Sequence, residues 1–250
     1  MHVFPGGQAI PGNRRGNCFQ IDPEGLSMHK LETIAEQIRQ TFDAQTATRD
    51  KALGQARALT RACALAIRAV HRVETEVMQS HLDEAYQLAE ALRNDLADYP
   101  AFYYAGYTQD SLKEFAEARI TCALILHQAL PTPEELHLPP STYMNGLAES
   151  VGEMRRRCLD MLRQDNSAEA ERLLGHMDDI YAILVTMDYP DAITNGLRRQ
   201  TDVIRAIIER TRGDLTFSLR GEKLERSLSR LSGQLAGSGP IGSQSAEENG

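Results

Sequence analysis

Residues 109–164 read QDSLKEFAEARITCALILHQAL (109–130), PTPEELHLPP (131–140) and STYMNGLAESVGEMRRRCLDMLRQ (141–164). The first and third segments predict helices, and the proline-rich segment between them interrupts the helical pattern. Because the connection is short, it favours an antiparallel hairpin of two neighbouring helices. This hairpin indicates an all-α fold.

The rest of the chain repeats the same helical period. Apolar residues recur three or four positions apart, as at Leu31, Ile34, Ile38 and Phe42 and again at Leu82, Ala85, Ala89, Leu92 and Leu96. No run of alternating β-branched residues bounded by turns predicts a strand. We therefore predict helices at about 28–48, 49–78, 80–97, 109–130, 141–164, 166–187 and 190–231, and the first two could form one helix.

The predicted organisation is a single-domain bundle of six to seven helices over residues 28–231. Residues 1–27 show no apolar period and predict a disordered N-terminal extension, and residues 232–250 predict a flexible Gly- and Ser-rich tail. The C-terminal helix is unusually long, and a helix of that length generally needs a partner, so we expect self-association. A break near Gly213 or Gly221 is the alternative.

The chain is acidic, with 27 Lys and Arg residues against 35 Asp and Glu residues and a net charge of −8. Its hydrophobic fraction of 42% and charged fraction of 25% exclude the collagen-like, fully disordered and membrane classes. An acidic balance argues weakly against nucleic-acid binding. However, 23 of the 27 basic residues are Arg. The Arg side chain suits bidentate phosphate contact and stacking, so the acidic net charge is weaker evidence against nucleic-acid binding than the total alone indicates.

The cysteines and the apolar runs bear on the compartment. The four cysteines lie far apart without C-x-x-C spacing, which indicates reduced thiols rather than disulfides or a zinc site. The N-terminus shows no continuous apolar segment of a secretory signal. No apolar run approaches the ~18 residues of a membrane span. We therefore expect a cytoplasmic protein with no membrane partner.

Two pairs of glutamates share helix faces on the hairpin. Glu114 and Glu117 lie about 60° apart around the first helix, and Glu149 and Glu153 lie about 40° apart around the second. Glu117 precedes the 131–140 connection by 14 residues and Glu153 follows it by 13. Both are therefore expected about 20 Å from the turn, where the four carboxylates can converge.

Clustered carboxylates raise each other's pKa unless a cation offsets their charge. Because this cluster offers only oxygen ligands, it favours Mg²⁺ or Mn²⁺ over zinc. Such an ion can activate water and neutralise charge on a phosphodiester. The alternative is that these residues are ordinary surface glutamates, and Ser111 with Glu114 also fits a capping box at a helix start.

Four arginines form a stripe on the predicted helix at 49–78. Arg57, Arg61, Arg68 and Arg72 fall within about 60° of one another, with His71 at the margin. Such a stripe can follow a phosphate backbone with salt-dependent affinity. The alternatives are a solvated helix face or pairing of Arg with Glu between subunits.

Five aromatic residues lie within nine positions before the Glu114 helix, namely Tyr99, Phe102, Tyr103, Tyr104 and Tyr107. Aromatic faces stack on unpaired bases, which suits single strands, and Tyr104 and Tyr107 are the candidates. Alternatively, the cluster anchors a loop to the core.

Three consecutive arginines at 155–157 surround more than half of their helix. Among them, Arg156 is the candidate to contact a phosphate beside Glu153.

Several segments, taken in order, resemble the translin family and specifically its catalytic branch, translin-associated factor X. LKEFAEA (112–118) and YMNGLAESVGEMRRRCLDML (143–162) are similar to that branch's E-[FY]-x-E-A and [DE]-x-x-G-E-[LM]-x-R motifs. RDKALGQARALTRACALAIRAVHR (49–72) resembles the family's first long helix, and LRRQTDVIRAIIERTRGDLTFSLRG (197–221) resembles its closing helix. The resemblance covers about residues 28–225.

The resemblance implies an all-helical fold that assembles as an octameric hollow shell and binds single-stranded RNA and DNA. It also implies a Mg²⁺-dependent endoribonuclease, with Mn²⁺ as an alternative ion, whose interior carboxylates are Glu114, Glu117, Glu149 and Glu153. Glu149 stands where the eukaryotic catalytic subunit carries Asp, which keeps the charge but lengthens the side chain. Two rival functions stay open: a non-catalytic protein that binds single-stranded nucleic acid, and a helical scaffold for protein partners.

Overall fold

The structure is a computed structural model that describes residues 26–237, with side chains described for residues 28–234. The described elements are α1 (Leu26–His71), α2 (Thr75–Asp95), α3 (Pro100–Tyr103), α4 (Gly106–Ile125), α5 (Pro140–Leu162), α6 (Ser167–Val185), α7 (Asp191–Thr194) and α8 (Leu197–Gly237). No strand occurs within residues 26–237. The prediction of an all-α fold is therefore confirmed, with two single-turn helices, α3 and α7, in addition to six long ones.

The chain divides into two compact units, residues 1–47 and residues 48–250. The described part of the first unit is helical and belongs to α1. Its apolar side chains are exposed by 42% to 61%, and they are Met28, Leu31, Ile34, Ile38 and Phe42. We call this set the α1 apolar stripe. The predicted disordered extension lies outside the described residues up to residue 25.

In the second unit, α5 lies at the centre of the core. It packs against α4, α6 and α8, and α6 also packs against α8. Phe115 on α4, Met154 on α5 and Met177 on α6 are fully buried. Burial of each such side chain contributes about 1.5–3 kcal/mol. The two helices of the predicted hairpin therefore lie inside the bundle, not on its edge.

Helices α4 and α5 approach each other closely at Gly146. A Cβ atom placed on Gly146 would lie 2.5 Å from the Cβ of Ala116 and 2.8 Å from the carbonyl oxygen of Lys113. Those distances are shorter than any ordinary contact between such atoms. A residue without a side chain is therefore required at this crossing, which lies one helical turn from Glu149.

The first long helix ends at His71, although the periodicity predicts helix to residue 78. Val73 adopts a left-handed conformation with φ of 64°. The amide of Glu74 donates to the carbonyl of Ala69 at 3.0 Å, which closes the last turn in the manner of a Schellman motif. Glycine usually occupies the left-handed position of such a motif. Because a valine stands there, the sequence did not indicate that the helix ends at this point.

The C-terminal region also differs in detail from the prediction of one helix over 190–231. Asn195 and Gly196 both have positive φ, of 54° and 82°, and they separate α7 from α8. Helix α8 then runs without a break through Gly213 and Gly221 to Gly237. It thus includes the first six residues of the predicted tail, and the remainder of that tail lies outside the described residues. None of the described helices combines the length and apolarity needed to cross a bilayer.

Candidate metal centre and nucleic-acid surface

Three glutamates on α4 and α5 form an acidic cluster. Glu114, Glu117 and Glu149 each offer one carboxylate oxygen, and these oxygens all lie within 4.8 Å of one another. All three side chains are half-buried. Carboxylate oxygens gathered in this way are the ligand type that a hard divalent cation such as Mg²⁺ or Mn²⁺ prefers.

The capping-box alternative for Glu114 is wrong. Helix α4 begins at Gly106, with Ala105 at the N-cap, so Ser111 and Glu114 lie in its second and third turns. The Ser111 hydroxyl donates to the carbonyl of Thr108 at 2.8 Å. The carboxylate of Glu114 is therefore not used to close a helix start.

The pKa values of the cluster reflect its charge. Burial, together with the charges of the neighbouring glutamates, raises the pKa of Glu117 to about 8. Burial also raises the pKa of Glu114, with a contribution from the charge of Glu149. Without a cation, Glu117 therefore keeps its proton at neutral pH.

Glu149 is held by two donors that the sequence did not point to. The Lys113 ammonium donates to Oε1 of Glu149 at 2.8 Å, and Nε2 of Gln200 donates to the same oxygen at 3.1 Å. Burial alone would lower the pKa of Lys113, but the hydrogen bond to Glu149 and the charges of the nearby carboxylates together outweigh it, so the pKa is raised. Helices α4 and α8 thus fix the orientation of an α5 carboxylate.

Glu153, the fourth predicted carboxylate, lies outside the three-glutamate cluster. Nε2 of His71 is 2.6 Å from Oε2 of Glu153, and Arg156 donates to the same oxygen at 3.4 Å. The hydrogen bond with His71 lowers the pKa of Glu153. The His71 side chain is only 3% exposed, and its Nδ1 has no partner among the described residues.

The prediction of an antiparallel hairpin is wrong, because α4 and α5 run in the same direction. Near the starts of the two helices, the hydroxyl of Thr142 donates to the side-chain oxygen of Gln109 at 2.5 Å. Near their ends, Leu124 of α4 and Cys158 of α5 both contact the first turns of α6. The connection at 126–139 therefore returns along the bundle, and Glu153 lies about one turn beyond Glu149 on α5.

The four predicted arginines of α1 all face solvent. Arg57, Arg61, Arg68 and Arg72 are exposed. None of them forms a salt bridge within the described residues. Their charges are therefore available to an anionic ligand, as on the predicted stripe.

A cleft connects this stripe to the acidic cluster. It has a volume of about 370 Å³ and is lined by Leu53, Ala56, Arg57, Thr60, Tyr107, Asp110, Ser111 and Glu114. The hydroxyl oxygen of Tyr107 is buried and has no hydrogen-bond partner in the described chain. One predicted arginine, one predicted tyrosine and one cluster carboxylate thus share a single cleft.

Most of the aromatic cluster anchors the segment before α4, as the alternative interpretation proposed. Tyr99 and Phe102 stack with ring centroids 5.9 Å apart, and Tyr103 and Tyr107 pack against the core. Tyr104 differs, because it is 67% exposed and meets Tyr103 edge to face. Its ring is the one that remains open to a ligand.

The three consecutive arginines of α5 contact three different partners. Arg155 bonds to Asp214 and Thr211 of α8 at 2.9 Å each, and Arg157 donates to the backbone carbonyl of His71 at 3.3 Å. Only Arg156 lies at the acidic side chains, beside Glu153. Of this run, Arg156 is thus the residue that is placed to meet a phosphate.

The chain is similar in sequence and in fold to several known proteins. The translin family profile matches residues 33–212. An uncharacterised protein of Methanocaldococcus jannaschii is 33% identical over 186 residues, which span 73% of this chain and 82% of that protein. The AfC3PO–duplex RNA complex is similar at 28% identity and a TM-score of 0.69, over 75% of this chain and 97% of that chain. Apo-NeC3PO, at 19% identity and a TM-score of 0.69, is similar in fold over 74% of this chain and 96% of that chain.

Proposed function

The chain belongs to the translin family, and from that premise we propose that it is a metal-dependent endoribonuclease of the translin-associated factor X branch. The cluster of Glu114, Glu117 and Glu149 is the observation that carries the proposal. Membership of the family supports nucleic-acid binding, and the acidic cluster supports hydrolysis of the bound strand. The reaction is cleavage of a phosphodiester by water.

The donor set fits Mg²⁺, with Mn²⁺ as the alternative. Glu114, Glu117 and Glu149 would hold the ion, whose charge would offset the burial and the carboxylate repulsion that raise the pKa of Glu117. A bound ion supplies Lewis-acid chemistry, which lowers the pKa of water and offsets charge on the phosphate.

The chain's own residues have separable roles in this proposal. Lys113 and Gln200 orient the carboxylate of Glu149, and His71 orients that of Glu153. Arg156 places a positive charge beside the acids, where it can offset charge that develops on the scissile phosphate.

The substrate in this proposal is a single strand, with RNA preferred and DNA as a further ligand. In this proposal the sugar-phosphate backbone of the strand lies along Arg57, Arg61, Arg68 and Arg72. The cleft at Arg57 then guides the strand towards Glu114. The exposed ring of Tyr104 supplies a face for an unpaired base. The AfC3PO complex contains duplex RNA, so a duplex is the necessary comparison substrate.

We also propose that the chain assembles as a homo-octameric shell. The α1 apolar stripe supports self-association, because exposed apolar side chains at helical spacing are typical of a contact surface between chains. Light scattering tests the assembly, and a monomeric mass would contradict it.

Single-turnover cleavage of end-labelled single-stranded RNA tests the activity. We expect cleavage in Mg²⁺, none in EDTA, and a loss of at least about 100-fold for Glu117→Gln, because one of three charged ligands is removed. Glu171→Gln, at an exposed position of α6, is the matched control and should cleave at the parent rate. If Glu117→Gln cleaves as fast as the control, the proposed site is wrong.

One observation favours the binding-only alternative. Glu149 already has a cation within 2.8 Å, and Glu153 already contacts His71. If these contacts neutralise the acids permanently, the chain binds nucleic acid without cutting it. Salt-dependent retention of RNA with no cleavage in Mg²⁺ or Mn²⁺ would support that function. If the protein retains no RNA in a salt-sensitive manner, the remaining candidate function is a helical scaffold for protein partners.

A further inference from the structure

The C-terminal part of α8 continues beyond the residues that the family profile matches. The family match ends at residue 212, whereas α8 extends to Gly237. Residues 213–237 therefore form a helical extension that the nucleic-acid chemistry does not use. The inference drawn from it does not rest on the proposed function.

One side of the extension faces the start of α6. Ser167 donates to the carboxylate of Glu222 at 3.3 Å, and a cavity there is lined by Asp165 together with Glu222, Glu225, Arg226, Ser229 and Arg230. Within the described residues, no hydrogen bond or ion pair joins residues 223–233 to another helix. Gly221 and Gly233 each cost the helix about 1 kcal/mol relative to Ala. A partner on the side away from α6 would therefore stabilise the extension.

Apolar side chains follow one side of the extension. Phe217, Leu224, Leu228 and Leu231 have exposed fractions from 53% to 75%. We call this set the C-terminal seam. Its spacings of seven, four and three residues place Phe217, Leu224 and Leu231 at heptad position d and Leu228 at position a, which is the pattern of a coiled coil.

The charges beside the seam select one kind of partner. Arg220 falls at position g and Glu225 at position e, five residues apart. In a parallel two-stranded coil of identical helices, position g of one chain faces the following e of the other. Arg220 then meets Glu225 of a second copy, twice per dimer. Both side chains are exposed, and neither forms a salt bridge within the described residues.

We propose that the C-terminal seam pairs with the same seam of a second copy as a short parallel coiled coil. Two heptads are short, so the pairing operates where the chains are already held close and their effective concentration is high. An antiparallel pair would not join Arg220 to Glu225, because it aligns g with g and e with e.

Disulfide trapping in the full-length protein tests the seam. The substitution Leu228→Cys, in a Cys18→Ser background, places equal positions of two chains within bonding distance. The remaining cysteines, Cys63, Cys122 and Cys158, are buried. We expect most of this variant to become a covalent dimer in oxidised glutathione. The control Arg226→Cys lies on the opposite side of the helix and should stay mainly monomeric on a denaturing gel. Equal trapping of the two variants would overturn the proposal.

Charge exchange tests the parallel orientation separately. In the Leu228→Cys variant, a glutathione redox buffer measures the effective concentration of the two introduced thiols with respect to each other. Either Arg220→Glu or Glu225→Arg alone should reduce this effective concentration by about fivefold. The two exchanges together should restore it. A double variant that traps as poorly as the single variants would exclude the parallel pair, whether or not the protein cleaves RNA.

Discussion

Replacing Gly146 with alanine tests how the crossing of α4 and α5 positions the acidic cluster. The new Cβ would lie 2.5 Å from the Cβ of Ala116 and 2.8 Å from the carbonyl oxygen of Lys113. Carbon atoms in contact prefer about 3.5–4.0 Å. Neither neighbour can rotate away, because one is a Cβ atom and the other belongs to the backbone. The helices must therefore separate by about 1 Å.

Two opposing effects set the magnitude for Gly146→Ala. Alanine raises helix propensity by about 1 kcal/mol over glycine. Overpacking at a tight crossing costs about 1–3 kcal/mol, and this site is at the upper end because the backbone must move. We expect a net loss of roughly 1–2 kcal/mol in the free energy of unfolding. The same shift moves Glu149 away from Glu114 and Glu117, so Mn²⁺ affinity should fall about tenfold or more.

Urea unfolding in EDTA measures the stability, and calorimetric titration with Mn²⁺ measures the affinity. The control is Gly152→Ala on the same helix, where an added Cβ meets nothing within 4 Å. That variant should gain about 0.5–1 kcal/mol and bind Mn²⁺ as the parent does. If Gly146→Ala behaves like Gly152→Ala in both measurements, the close approach does not hold the cluster together.

Three further perturbations address single contacts. His71→Phe should cost about 1–3 kcal/mol in urea unfolding at pH 7, since it removes the closer of the two donors to Glu153. Because the folded pKa of Glu153 is lowered, its stabilisation is present above the ordinary carboxyl pKa and is lost as the pH falls through the folded pKa, so the cost of the substitution should shrink in acid; a cost independent of pH would contradict the role of the contact. Because the folded pKa of Glu117 is about 8 against 4.5 ordinarily, the metal-free protein should lose stability as pH rises from 5 to 8. Glu117→Gln should flatten this dependence, and an unchanged slope would refute the assignment. Arg57→Gln should reduce the slope of log affinity against log salt for single-stranded RNA by about 0.7, as expected for one phosphate contact. Arg163→Gln, at an exposed arginine off the stripe, should leave that slope unchanged.

The helices and the spacing of the glutamates could be predicted from the sequence because they depend on local periodicity. The spacing of Glu114 and Glu117 places both carboxylates on one face whatever surrounds the helix. The relative direction of α4 and α5 depends instead on the path of the 126–139 connection. That connection returns along the bundle, so the two helices are parallel and not antiparallel as its short length suggested.

Contacts between distant segments could not be predicted from one sequence. Lys113 and Gln200 are 87 residues apart, and their common partner depends on the packing of α4, α5 and α8. The requirement for glycine at 146 likewise arises only when α4 lies against it. The sequence placed His71 beside the arginine stripe, but no local pattern indicated that it contacts Glu153 on α5.

The ammonium of Lys113, 2.8 Å from Glu149, has a consequence for ion selectivity. It is a tethered monovalent cation, and its covalent link keeps it at a high effective concentration in the cluster. A potassium or sodium ion carries the same charge and must compete with it from bulk solution, so it gains little by entering. A divalent ion carries twice the charge and interacts about twice as strongly with the carboxylates at equal distance. In the proposed metal site, the lysine would thus compete with monovalent ions more effectively than with divalent ones.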